Sequence, residues 1–129
     1  MHVVYVDTKE IPFDETLTVQ ITGADYSTED QEVFAEVTVP SVATLYADVN
    51  TVTSYTANSY NEATCIADAL AEKEGASFEK VEVDDLGYAA VSMKQSYRDN
   101  TYYMHFFVVS AEGKVSHIYT STSVSVPKK

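Results

Sequence analysis

The chain is expected to fold as an α+β domain, an antiparallel β-sheet with one main α-helix packed on one face. Three observations predict it. Val, Thr and aromatic residues dominate, with ten Tyr, five Phe and no Trp, and such side chains suit a half-buried pleated surface. One segment carries apolar residues at helical spacing. After it, apolar runs follow one another across gaps of turn length, which makes neighbouring strands antiparallel.

Residues 3–6 form an apolar run that reads as an edge strand. In Ile11-Pro12-Phe13 the proline argues against a central strand. Residues 16–21 alternate, placing Leu17, Val19 and Ile21 on one face, whereas residues 23–32 are acidic and turn-like. Residues 33–39 and 42–49 read as strands parted by Pro40-Ser41. Residues 50–58, rich in Thr, Ser and Asn, are a loop or an irregular strand extension. The helix is expected over 60–74, with Ser59 and Glu62 as a capping box and Ala63, Ile66, Ala67, Leu70 and Ala71 as its apolar stripe. Gly75 is the expected left-handed stop. Strands are then expected over 78–84, 88–97, 101–110 and 114–124. Residues 1–126 read as one domain and 127–129 as a frayed tail.

The turns of the last three strands propose a register. A two-residue turn at Asp99-Asn100 pairs Tyr97 with Tyr102 and Met93 with Phe106. A three-residue loop at Ala111-Glu112-Gly113 pairs Ser110 with Lys114, and hence Phe106 with Ile118 and His105 with Tyr119. One face then carries Val91, Met93, Met104, Phe106, Val108 and Ile118, a core face against which the helix is expected to lie. The other carries Ser92, Lys94, Tyr103, His105, Phe107, Val109, His117 and Tyr119. Three readings compete for it: a second core layer under the N-terminal segments, a surface for a partner or ligand, or a metal site built on His105 and His117. The candidate binding residues are Tyr103, His105, Phe107, His117 and Tyr119, since Tyr, Phe and His suit a half-wet surface.

Charge limits the partners. With 20 acidic and 8 basic residues the formal net charge is −12, which repels phosphate backbones and anionic membrane surfaces. Nucleic acid is therefore not expected as a partner. No run reaches the roughly 18 apolar residues of a membrane span, so insertion by this chain is not expected. A protein or small-molecule partner remains, and the oligomeric state is left open. Cys65 is alone, so it makes no intrachain disulfide, and it sits within the helix as a small apolar side chain. Few Lys and Arg among many Ser, Thr, Tyr and Asn lead us to expect an extracytoplasmic or cell-envelope location, with the cytoplasm as the alternative.

No catalytic constellation stands out. The acidic clusters Glu82/Asp84/Asp85 and Glu29/Asp30/Glu32 lack the spacing of a calcium loop. There is no G-x-S-x-G elbow, and Cys65 lacks the exposed, electropositive setting of a reactive thiol. No catalytic residue, metal ligand or cofactor is assigned, and an enzyme is not expected.

The segment Gly87-Tyr88-Ala89-Ala90, a long hairpin with Tyr102-Tyr103 and Phe107-Val108-Val109, then Glu112-Gly113-Lys114 and Ile118-Tyr119-Thr120, resembles the Mog1/PsbP-like superfamily with its PsbP- and DcrB-related domains. The resemblance covers about residues 59–125. It implies a sandwich of antiparallel sheet and helices, and a non-enzymatic role like those of photosystem accessory proteins, a GTPase-binding protein and envelope lipoproteins. No family binding residue maps onto this sequence. The expected function is a binding or accessory domain of a bacterial envelope or secreted protein, acting through the aromatic and His face. The alternatives are an assembly subunit that pairs through a free edge strand such as residues 3–6, or a hydrolase of unknown class.

Overall fold

The computed structural model describes residues 11–40, 42–56 and 59–129, and the strand expected over residues 3–6 lies outside them. The elements in chain order are β1 (Gln20–Ser27), β2 (Glu32–Thr38), β3 (Thr44–Asn50), α1 (Ser59–Leu70), β4 (Glu79–Val81), β5 (Tyr88–Lys94), β6 (Asn100–Val109), β7 (Tyr119–Thr120) and β8 (Val124–Val126). The class is α+β, antiparallel strands with one short helix.

The strands divide between two sheets. One has the order β1-β2-β5; the other runs β4-β3-β6-β7, with β8 also on β6. Val33, Ala35, Val37, Ala89 and Val91 of the first sheet pack against Leu45, Ala47, Met104, Phe106 and Val108 of the second. The opposite face of the second sheet presents Tyr46, Phe107 and Ile118 to Ile66 and Ala69 of α1. The layers are therefore sheet, sheet and helix, and β3 and β6 are buried on both faces.

This arrangement corrects the expected meander. β5 and β6 are not a hairpin: among the described residues β5 pairs only with β2, and β6 pairs with β3, β7 and β8. The reason lies in their side chains. β6 is buried without interruption from Met104 to Val108, whereas in β5 Ala90, Ser92 and Lys94 are exposed between Ala89, Val91 and Met93. A strand with a polar face cannot take the doubly covered place beside β6. The chain crosses between sheets instead, held where Tyr26 Oη donates to the Gln95 carbonyl (2.7 Å) and Tyr97 Oη to that of Thr28 (3.0 Å). The helix consequently lies on the Phe107 face, because the first sheet already covers Phe106.

The second correction concerns the strand expected over 114–124. Its turn is as read: Gly113 has φ 84°, and Ser110 N–H donates to the Lys114 carbonyl at 2.8 Å. The register then slips. Val109 faces Val115, but Phe106 faces Tyr119 and Tyr102 faces Val124, so one extra residue enters twice. Ser hydroxyls replace the lost ladder partners, with Ser116 Oγ accepting from Val108 N–H and Ser121 Oγ from Met104 N–H, both at 3.0 Å. A one-residue slip reverses every later side chain, and so Tyr119 joins the inter-sheet core while Thr120 faces His105.

Smaller differences have local causes. β1 runs past the expected turn at residue 23 because Gly23, at φ 53°, takes up a bulge between Thr22 and Ala24. The helix stops before Gly75. Glu72 is its left-handed residue (φ 51°), Glu72 N–H meets the Ala69 carbonyl and Lys73 N–H that of Asp68, each at 3.0 Å, a Schellman ending. The buried stripe of α1 is Glu62, Ala63, Ile66 and Ala69, and Leu70 is exposed. At the C-terminus the Pro127 carbonyl accepts N–H bonds from Arg98 and Asp99.

Candidate functional site

The five expected binding residues do not form one open face. His105 and Phe107 are fully buried. Phe107 is stacked on Tyr46 (centroids 4.8 Å) and tilted against Phe78 (5.3 Å), and His105 meets Tyr55 edge-on (4.8 Å). Tyr103 is half-buried opposite Asn50. Tyr119 lies on the other side of the sheet, its Oη donating to the Leu17 carbonyl at 3.1 Å. His117 is half-buried in a separate cluster. Phe107 is covered by Ile66 and Ala69 of α1 together with Tyr55 and Phe78. Ile11 and Phe13 pack against the same cluster, and Phe13 and Glu15 also meet His117.

The polar atoms under the helix are fully engaged. Asn50 Oδ1 accepts from Val52 N–H (2.8 Å) and Asn50 Nδ2 donates to Asp48 Oδ2 (2.8 Å) and Tyr55 Oη (2.9 Å), which fixes the amide. His105 Nε2, 2.9 Å from Asn50 Oδ1, must then carry the proton, and Nδ1 accepts from the Thr120 hydroxyl at 2.9 Å. Burial holds His105 neutral, its pKa pulled down to about 4, and pushes the Tyr55 phenol up to about 12. Burial also raises the Cys65 thiol, which shares a hydrogen bond with Tyr55.

His117 bridges two carboxylates. Nδ1 is 3.0 Å from Glu62 Oε1 and Nε2 is 2.8 Å from Glu15 Oε1, while Phe13 stacks on the ring at 4.2 Å. Glu62, only 2 % exposed, uses its other oxygen to accept Ile118 N–H at 2.8 Å. Burial pulls the His117 pKa down, but the two carboxylates outweigh it and the net shift is upward. Glu62 comes from α1 and Glu15 from the segment before β1, neither of which the register of the last three strands places.

Open space lies elsewhere. A cleft of about 680 Å³ separates β5 from β4 and the end of β3, with Asp48, Ser77 and Glu79 on one wall and Ala90, Ser92 and Lys94 on the other. Asp48 is buried, and its pKa is raised by burial and by Glu79, against hydrogen bonds from Asn50, Val49 and Ser77 that lower it. Lys94 Nζ reaches Glu32 Oε2 at 3.4 Å and the Asp30 carbonyl at 3.1 Å.

β5 borders this cleft as an edge strand. Gln95 N–H donates to the Gln31 carbonyl (2.9 Å) and Val39 N–H to that of Gly87 (2.7 Å). These bonds bracket β5, so its odd-numbered residues turn their backbone groups to β2 and the even-numbered ones turn away. Tyr88 agrees, since both its N–H and its carbonyl are used by Asp84 in the preceding turn. Ala90, Ser92 and Lys94 remain, and among the described residues no backbone partner meets them. Sequence reasoning missed this edge, although the alternation of Ala89, Val91 and Met93 with Ala90, Ser92 and Lys94 signals a strand open on one face.

Comparisons with models of known families, with curated proteins and with solved structures find no match for this chain. Among the described residues no group of three or more His, Cys, Asp or Glu side chains is placed to hold a metal ion, and no helix is long and apolar enough to cross a membrane.

Proposed function

We propose that the chain is a non-enzymatic binding or accessory domain whose ligand seat is the cleft between β4 and β5. The observation that carries this reading is the cleft itself, a concave space of about 680 Å³ flanked by charged side chains and by a strand edge. The histidines at 105 and 117 support the same reading from the other side. Each has both ring nitrogens bonded within the protein, an arrangement suited to holding segments together rather than to moving protons. The binding role is thus moved from the Tyr103/His105/Phe107/His117/Tyr119 group to the open side of the sandwich.

Kinship with the Mog1/PsbP-like superfamily and a cell-envelope or secreted setting are part of the proposal. The first is supported by an antiparallel sheet with a helix across one face, the second by the acidic, hydroxyl-rich composition. Titrating the ¹⁵N-labelled protein with a panel of short peptides tests the seat. Signals of Ser77, Glu79 and Ser92 are expected to move first and saturably; movement confined to other residues would refute the assignment.

A further inference from the structure

We propose that the cleft is read by strand addition: an extended segment of a partner protein, bearing Lys or Arg at alternate positions, pairs with the free edge of β5. The inference rests on the cleft being the binding seat and adds the mode and the chemistry of the partner.

The edge has the properties strand addition requires. Three residues, Ala90, Ser92 and Lys94, turn N–H and carbonyl groups away from β2, and among the described residues the cleft leaves the space beside them open. No proline interrupts β5, no bulge breaks its register with β2, and its outward side chains are small at Ala90 and Ser92. Backbone bonds of this kind supply affinity, and alternate side chains supply selectivity.

The register says what those side chains meet. Residues of an added strand that share the outer face with Ala90 and Ser92 stand beside a second depression, about 340 Å³, bounded by Asp30, Glu32, Phe34 and Glu36. Ala90 lies opposite Glu36 and Ser92 opposite Phe34. A Lys or Arg stem opposite Ala90 can cross its methyl group towards the Glu36 carboxylate, and one opposite Ser92 reaches the ring of Phe34, which is 40 % exposed. On the inner side the added strand meets Val49 and Val81, which suits apolar residues. Alternation of cationic and branched apolar residues follows, and the net charge of −12 favours such a segment at long range.

The test uses the full chain and two defined probes, acetyl-(Lys-Val)₄-amide and acetyl-(Glu-Val)₄-amide, read by amide hydrogen exchange and NMR shifts. The Lys-Val peptide is expected to slow exchange at Ala90, Ser92 and Lys94 at least tenfold, leaving Val91 and Met93, already bonded to β2, unchanged. Ser92→Pro removes an outward N–H and spares the β2 ladder, so it should keep the fold and weaken binding at least tenfold. Should that variant fail to fold, a Lys-Val peptide N-methylated at alternate residues gives the same loss with the protein unaltered. Shifts at cleft residues without slowed exchange at the three amides would overturn strand addition and leave the cleft assignment standing. Absence of any saturable shift with the Lys-Val peptide, or equal binding of the Glu-Val peptide, would overturn the cationic partner. Protection of the three amides in the free protein, with or without self-association by sedimentation, would mean the edge is taken by this chain or its copy, and would overturn the proposal outright.

Discussion

Truncating Glu62 to alanine removes the acceptor for both His117 Nδ1 and Ile118 N–H at a position that water does not reach. An orphaned buried donor costs on the order of 1–3 kcal/mol, and urea unfolding of Glu62→Ala should show a loss of about that size, with Glu62→Gln intermediate. The two histidines act in opposite directions on pH. For His105 the folded pKa of about 4 lies below the ordinary value, so as pH falls the unfolded chain takes the proton first. Its effect is nil above about pH 6.5 and grows to a destabilisation of up to about 3 kcal/mol near pH 4, at about 1.4 kcal/mol per unit. For His117 the shift is upward. The stability it adds is full below about pH 6.5 and fades as pH rises through the raised folded value. Imidazole NMR titration should show His105 silent between pH 5 and 8 and His117 titrating late. An ordinary midpoint for His105 would contradict the buried, neutral assignment.

At the scale of elements, Glu72 occupies the left-handed ending of α1, where a side chain is disfavoured. Glu72→Gly is expected to stabilise by about 0.5–1 kcal/mol, measured as a rise in the thermal midpoint. How far the elements were legible differs by element, for physical reasons. The strict alternation Val33, Ala35, Val37 is a local property of a strand with one buried face, and the apolar run of β6 likewise marks burial on both. α1 was readable from its period, yet its buried stripe is shifted to Glu62 and Ala69, because the burial of a charged residue depends on a distant donor. The slips after Val115 follow from hydroxyls at Ser116 and Ser121 that stand in for backbone partners, and no hydrophobic pattern encodes that. The cleft was illegible for a similar reason. Whether β5 is an edge depends on which strand outcompetes which for β6, a long-range choice.

Over the whole molecule, charge and layering decide the behaviour. Two Lys–carboxylate ion pairs join the described residues, both with exposed Lys, against 20 acidic residues in the chain. Self-repulsion therefore outweighs attraction, and raising NaCl from low concentration to about 0.5 M should raise the melting temperature by several degrees, since a screening length near 10 Å at 0.1 M shrinks further. A fall would mean that specific pairs dominate. In the layering, α1 and the first sheet lie on opposite sides of β3 and β6, and Phe107 lies in the layer closed by the helix together with Tyr55 and Phe78.

The slipped partner strand of β6 also has a kinetic side. The Gly113 turn by itself is compatible with two registers, one in line, with Ile118 opposite Phe106, and the native one, with an extra residue entered before Tyr119. Local closure is fast, on the order of microseconds for a hairpin, and does not choose between them. The choice comes when α1 docks and the Glu62 carboxylate takes Ile118 N–H, a contact 56 residues apart in sequence. The C-terminal strand is thus expected to start early and lock late, and stopped-flow refolding of Glu62→Ala should show a slower final phase than the parent chain; identical phases would mean that Glu62 does not select the register.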